Sequence, residues 1–274
     1  PMDIIISGIE QCAGALASGG DEVHRAIMTT DTKEKCIFAE IELSGKTVSI
    51  CGIAKGSGMI HPNMATMLSY VVTDAAVSKE VLTAMQKKIT YTTFNMVTVD
   101  GDTSTNDTAT IIANGCAGNP IIDKAEGEDY KTLYDAVYYV TEYLAKAIAA
   151  DGEGATRLME VDLIGAETEE QARTCARSVA SSSLVKAAIH GADANWGRVL
   201  CAMGYSGAQF DQMKVDVAFA SEKGSIDVFV KGVPQNFDED KALEILQNDV
   251  VQIKINMNSG DHAVKAWGCD LSKE

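Results

Sequence analysis

Helical and strand patterns interleave along all 274 residues of this chain without a strict strand–helix–strand rhythm, and that irregular alternation constrains its architecture most. A regular rhythm selects a doubly wound parallel sheet, whereas the irregular one selects layered α and β structure with mixed sheets. Ile5, Ile9, Cys12 and Leu16 recur at helical spacing before Gly19-Gly20, which predicts a helix over residues 3–18 lying on the core. CIFAEIEL and TVSICGIA flank SGK, the signal for a hairpin, and a glycine-containing loop, AKGSGMIHPN, follows. TMLSYVVTD, from Thr66, reads as a buried strand. A helix over 78–93 is capped by Ser78 and turns Val81, Leu82, Met85 and Ile89 to one face. FNMVTV and TATIIA read as strands on either side of the polar turn DGDTSTND. Residues 130–150 form the longest helical pattern, ended by DGEG, and TRLMEVDLIG reads as a strand leading to a helix over 169–181. Beyond it come a helix from near Asn195, strands near 213–219 and 226–230, a helix near 238–248 and a last strand, VVQIKINM.

Composition narrows the class of partner. A formal charge of -16 argues against a nucleic-acid or anionic-membrane surface, which needs a basic patch. The seven cysteines are odd in number and form no CxxC, so they read as buried thiols in a reducing compartment. The four histidines are too scattered for metal-ligand spacing. No apolar run approaches the roughly 20 residues that span a bilayer, and a cytoplasmic location is expected.

The segment that carries chemistry is KGSGMIHPNMATMLSY, residues 55–70, where a glycine loop and Pro62 lead to Ala65-Thr66 at the head of an apolar strand. A threonine held there can direct its Oγ at the preceding carbonyl. Attack on Ala65 would convert the amide to an ester, and hydrolysis would free the Thr66 amine. Such an amine has a pKa near 7.7 to 8.0 and can take the proton of its own Oγ. Taken alone, Ala-Thr before an apolar strand is common, and an ordinary loop-to-strand turn is the stronger reading of it. DGDTSTNDTATI starts like a calcium loop, yet Thr105 stands where the turn glycine belongs and Ile111 where the bidentate glutamate belongs, so it reads as a structural turn near the site. GIAKGSGM lacks the features of a phosphate loop. Trp196, after Asn195 at a helix start, reads as a core anchor beside a capping residue.

KGSGMIHPNMATML closely resembles the cleavage-site motif of the ornithine acetyltransferases, the arginine-biosynthesis glutamate N-acetyltransferase family. MTTDT (28–32), TVDGDTSTND (98–107), DGEGAT (151–156) and GADANWGR (191–198) resemble further hallmarks of that family in the same order. The resemblance implies a four-layer sandwich of helices outside two mixed sheets over residues 1–155, with a smaller C-terminal α/β lobe over 156–274. It implies cleavage between Ala65 and Thr66 into α and β chains that assemble as a heterotetramer. It makes Thr66 the nucleophile that carries acetyl from N-acetylornithine to glutamate, and some relatives also use acetyl-CoA. It casts Thr29, or its neighbour Thr30, and Lys55 as substrate contacts, since a hydroxyl can bond an amide or carboxylate oxygen and an ammonium can pair with a carboxylate. Glu153 becomes the partner for the ornithine ammonium. No metal or organic cofactor is implied.

Against the family pattern, the chain is expected to be truncated at both ends, without the Thr-Gly pair of the oxyanion hole and without a tail that completes the substrate pocket. Two rivals stand beside this reading. One is an N-terminal-nucleophile aminopeptidase of the same fold, in which water takes the acyl group; the other is an inactive fragment serving as a binding or assembly module.

Overall fold

The computed structural model describes residues 1–16, 22–61, 67–103 and 106–272. In chain order its elements are α1 (Met2–Gly14), α2 (Val23–Ala26), β1 (Lys35–Leu43), β2 (Lys46–Lys55), β3 (Leu68–Thr73), α3 (Lys79–Thr92), β4 (Thr108–Ala113) and α4 (Glu128–Ala150). There follow β5 (Leu158–Ala166), α5 (Glu169–Ser181), α6 (Ser183–His190), α7 (Trp196–Gly204), β6 (Asp216–Ser221), β7 (Gly224–Val230), β8 (Val233–Pro234), α8 (Glu239–Leu246), β9 (Val250–Asn256) and β10 (His262–Cys269).

A two-residue turn starts the small sheet. Ser44 and Gly45 both have positive φ, 48° and 75°, as a type I′ turn requires, and they set β1 against β2 with Leu43 opposite Lys46. β3 then adds antiparallel to β2 and β4 parallel to β3, giving the order β1-β2-β3-β4. Alternation along β1 and β2 puts Leu43, Val48, Ile50 and Ala54 on the buried face, and α4 lies across it through a stripe that includes Val137, Val140, Leu144 and Ile148. Gly52 permits the approach: a Cβ there would lie 2.5 Å from Val140 Cγ1.

The second sheet has the order β10-β5-β9-β6-β7-β8, with only the β5–β9 pair parallel. Met159, Val161, Leu163, Val251, Ile253 and Ile255 form its buried apolar face, to which α5 and α8 add Ala172, Cys175, Val179 and Ile245. Among the described residues the layers run small sheet, α3 and α4, large sheet, then α5 to α8, so α4 joins the halves. It carries Lys146, which bonds Glu160 of β5 at 3.0 Å. The mixed α/β class with two mixed sheets is the one the sequence predicts, but the layering differs from the one the resemblance implies: α3 and α4 lie between the sheets instead of outside them, and only the small sheet falls within residues 1–155. No helix among the described residues is long and apolar enough to cross a membrane.

Three elements depart from expectation. The apolar stripe at the start does form a helix, but α1 has no buried residue, with Ile5 and Ile9 51% and 64% exposed; no described element packs on that stripe. FNMVTV is not a strand: Phe94–Met96 form a 3-10 turn and Val97 makes one bridge to Trp267. Its residues are buried, and a short buried apolar run has no periodicity that separates strand from turn. The strand expected from 213 begins at Asp216, because Gln212–Lys214 form another 3-10 turn under the Asp211 cap. The short α2 and β8, the helix α6 and the strand β10 went unpredicted.

Candidate active site

The loop leaving β2, residues 55–61, has its backbone polar groups bonded at nearly every step. Ser57 donates its hydroxyl to the Asp151 carbonyl at 2.7 Å, and the Glu153 N–H returns a bond to the Ser57 carbonyl at 3.0 Å. The Glu153 carboxylate lies directly over Gly58, where any Cβ would fall 2.5 Å from its Cδ, so a side chain there would displace the carboxylate. Met59 sits at φ 56°, a left-handed conformation uncommon for a side-chain-bearing residue.

Beneath the loop is a buried ionic triad. Lys35 Nζ lies 2.7 Å from Asp31 Oδ1 and 2.5 Å from Asp151 Oδ2, with all three side chains at most 3% exposed. Asp31 also accepts the N–H groups of Gly56 at 2.7 Å and Thr29 at 3.1 Å. Asp151 accepts from the Thr32 hydroxyl and from the N–H groups of Thr32 at 3.0 Å and Lys33 at 3.2 Å. Burial by itself would push both carboxyls up, but Lys35 and these donors outweigh it and hold both below the ordinary aspartate range. The triad therefore binds together MTTDT, KGSGM and DGEGAT, three motifs far apart in sequence.

Each motif contributes one of the residues singled out above. Lys55 donates to Thr29 Oγ1 at 3.3 Å. Thr29, Lys55 and Glu153 thus sit around one loop, with Thr29 and Glu153 exposed and Lys55 half-buried. Thr30 is exposed and adjacent. Ala65 and Thr66 lie outside the described residues, but both flanks of their segment are bonded to residues 98–108. Upstream, Asp100 accepts the N–H groups of Met59 at 2.5 Å and Ile60 at 3.0 Å. His61 Nδ1 lies 2.9 Å from the Thr98 hydroxyl, and its Nε2 lies 3.1 Å from Arg177. Burial, then the Arg177 charge, lower the His61 pKa and favour the neutral ring. Downstream, Asp107 Oδ1 accepts the Met67 N–H at 2.6 Å. Burial raises the Asp107 carboxyl to about 6, against the opposing pull of that N–H and of Lys55. Among the described residues its buried Oδ2 has no hydrogen-bond partner.

Sequence reasoning missed Lys35, Asp100 and Asp107. Asp31, Asp100, Asp107 and Asp151 all stand inside the quoted motifs, which was the available signal; Lys35 heads an ordinary-looking strand and carried none. In GADANWGR, Asn195 caps α7 by accepting from the Arg198 N–H at 3.1 Å, and Trp196 stacks on Phe229 with ring centroids 5.0 Å apart, which is the capping and core-anchoring pair expected. A separate cleft of about 920 Å³ lies over the polar face of the large sheet, between Tyr138, Asp162, Lys254 and Lys265; none of the site residues lines it.

Comparison with known proteins agrees with the motif order. The model of the ArgJ family matches residues 1–274. The chain is 48% identical over 273 residues to arginine biosynthesis bifunctional protein ArgJ 1 of Clostridium acetobutylicum, covering 99% of this chain and 67% of that protein. It is 48% identical over 275 residues to the arginine biosynthesis bifunctional protein ArgJ of Thermotoga neapolitana, covering 100% of this chain and 69% of the relative. The crystal structure of arginine biosynthesis bifunctional protein argJ from Bacillus halodurans superposes with a TM-score of 0.72 at 44% identity, over 76% of this chain and 96% of that one. With a family model matched from end to end and relatives at nearly half identity, the chain belongs to the ArgJ family.

Proposed function

We propose that this protein is an ornithine acetyltransferase of arginine biosynthesis, transferring acetyl from N-acetylornithine to glutamate on Thr66 after cutting itself before that residue. The supporting observation is that one buried triad gathers Thr29, Lys55 and Glu153 around a loop that runs directly into the Ala65-Thr66 segment.

In the cutting step Thr66 Oγ attacks the Ala65 carbonyl carbon. The C–N bond breaks, the Oγ proton passes to the departing nitrogen, and water hydrolyses the ester to an Ala65 carboxylate and a Thr66 with free amine and hydroxyl. In turnover that amine takes the Oγ proton as Oγ attacks the acetyl carbon of N-acetylornithine. The amide nitrogen leaves with a proton as ornithine, and the glutamate amine then takes the acetyl group from the threonine ester and restores the hydroxyl. In this scheme Lys55 pairs with the α-carboxylate of the bound amino acid, Thr29 orients it by hydrogen bonding, and Glu153 meets the ornithine side-chain ammonium. The cut chains pair as a heterotetramer in the cytoplasm.

Intact mass measurement of the full-length protein checks the cut, with two chains divided before Thr66 expected. Incubation with N-acetylornithine should give N-acetylglutamate only when glutamate is present; free acetate at an equal rate without glutamate would move the assignment to a hydrolase. The same assay with acetyl-CoA tests the second donor.

A further inference from the structure

The sequence TVDGDTSTND makes more bonds to the segment around Ala65-Thr66 than a surface turn requires. Upstream, Asp100 holds the N–H groups of Met59 at 2.5 Å and Ile60 at 3.0 Å, and the Val99 N–H reaches the Ile60 carbonyl at 2.6 Å. The Thr103 hydroxyl bonds the His61 carbonyl at 3.1 Å. Downstream, Asp107 holds the Met67 N–H at 2.6 Å, and the Thr108 N–H bonds the Met67 carbonyl at 3.0 Å. One ten-residue stretch and its neighbour Thr108 therefore grip the chain on both sides of residues 62–66. At the upstream grip, Met59 is kept in the left-handed region, a conformation that persists only where the surroundings impose it.

The geometry points to Asp100 and Asp107 as positioning residues for self-cleavage, fixing the two ends of the segment whose scissile bond must meet its own hydroxyl. This rests on the function proposed above. Intramolecular attack at a peptide carbonyl depends on the approach of the reacting atoms, and an error of about 1 Å can cost roughly 100-fold in rate. Fixing both flanks limits that error. Asp107 is suited to the downstream task because its acceptor oxygen is directed at the first N–H after Thr66, and Asn would preserve that acceptor.

The test follows the cutting of the full-length protein by intact mass after translation, in wild type and in the Asp100→Ala, Asp107→Ala, Asp107→Asn and Thr66→Ala variants, each checked for folding by far-ultraviolet circular dichroism. Both aspartate-to-alanine variants should cut about 100-fold more slowly than wild type, Asp107→Asn should cut at close to the wild-type rate, and Thr66→Ala should not cut. Should an alanine variant fail to fold, Thr103→Val removes only the bond to the His61 carbonyl and should slow cutting about tenfold. Wild-type cutting by a folded alanine variant or by Thr103→Val overturns the assignment, as does an Asp107→Asn protein as slow as Asp107→Ala, since then charge and not the anchoring bond would matter. A wild-type protein that never cuts before Thr66 would instead refute the proposed function, so the two failures are distinguishable.

Discussion

Lys35 shows how one side chain can support a site it does not belong to. Among the described residues it is the single cation between Asp31 and Asp151, and removing one partner of a buried charge cluster typically costs about 3–5 kcal/mol, because the remaining charges stay desolvated. Lys35→Met should therefore lower the free energy of unfolding by that amount near neutral pH, measured in denaturant. Its pH dependence should also change sign. With Lys35 present, both carboxyls lie below their unfolded values, so their contribution is present above the unfolded pKa and fades as acid carries the pH down through the folded one. Without Lys35, burial should raise both, and the variant should instead gain stability on mild acidification. Asp107 already behaves in that opposite way. Its carboxyl is raised to about 6, so the folded state holds a proton the unfolded state releases, and stability falls as pH rises from about 4 through 6. Asp107→Asn has no such proton, so its melting temperature should gain on wild type at pH 8 relative to pH 4; an unchanged difference would show that burial does not perturb this carboxyl. These residues were only partly legible. Four of the aspartates stood in recognisable motifs, but that Lys35 would meet Asp151, 116 positions away, is a fact of tertiary packing that no local pattern encodes.

At the scale of elements, what could be read from the sequence was set by local turn and cap chemistry. The SGK hairpin, the Ser78 and Asn195 caps and the long helix ending at DGEG formed where expected, because φ preference and capping act within a few residues. The stripe on α1 gave the right helix and the wrong surroundings, since periodicity says which face is apolar and not what covers it. β10 was hidden by a run, HAVKAWGC, whose inward residues Ala266, Trp267 and Cys269 keep no two-residue alternation. The contact between α4 and β2 supplies a packing test. A methyl group added at Gly52 would meet Val140 at 2.5 Å and Leu144 at 2.9 Å, deep in the core. Overpacking of this kind costs about 1–3 kcal/mol. Gly52→Ala should lower stability within that range; no loss would mean that α4 can move away from the sheet freely.

The whole molecule is built so that the site depends on both halves. Thr29, Lys55 and the triad belong to the small-sheet half, yet the stretch that bonds the chain on both sides of residues 62–66 hangs from the large sheet: the Thr98 N–H bonds the Trp267 carbonyl of β10 at 2.9 Å, and buried Lys186 of α6 donates to the Val99 carbonyl. Asp270, just past β10, accepts the N–H groups of Thr156 at 2.7 Å and Arg157 at 2.8 Å, so DGEGAT is secured from the same side. α4 adds its own bonds to both sheets. Connections this buried cannot open without exposing the core of each half, so the chain should unfold as one unit in spite of its length. Trp196 and Trp267, the only two tryptophans, both fall in residues 156–274, so their emission reports the large-sheet half while amide exchange at β1 and β2 reports the other. Under increasing denaturant the two signals should share one midpoint. Separate midpoints would divide the chain near residue 155 into independently stable domains, and the buried bridge from Thr98 to Trp267 would then contribute little to holding the site together.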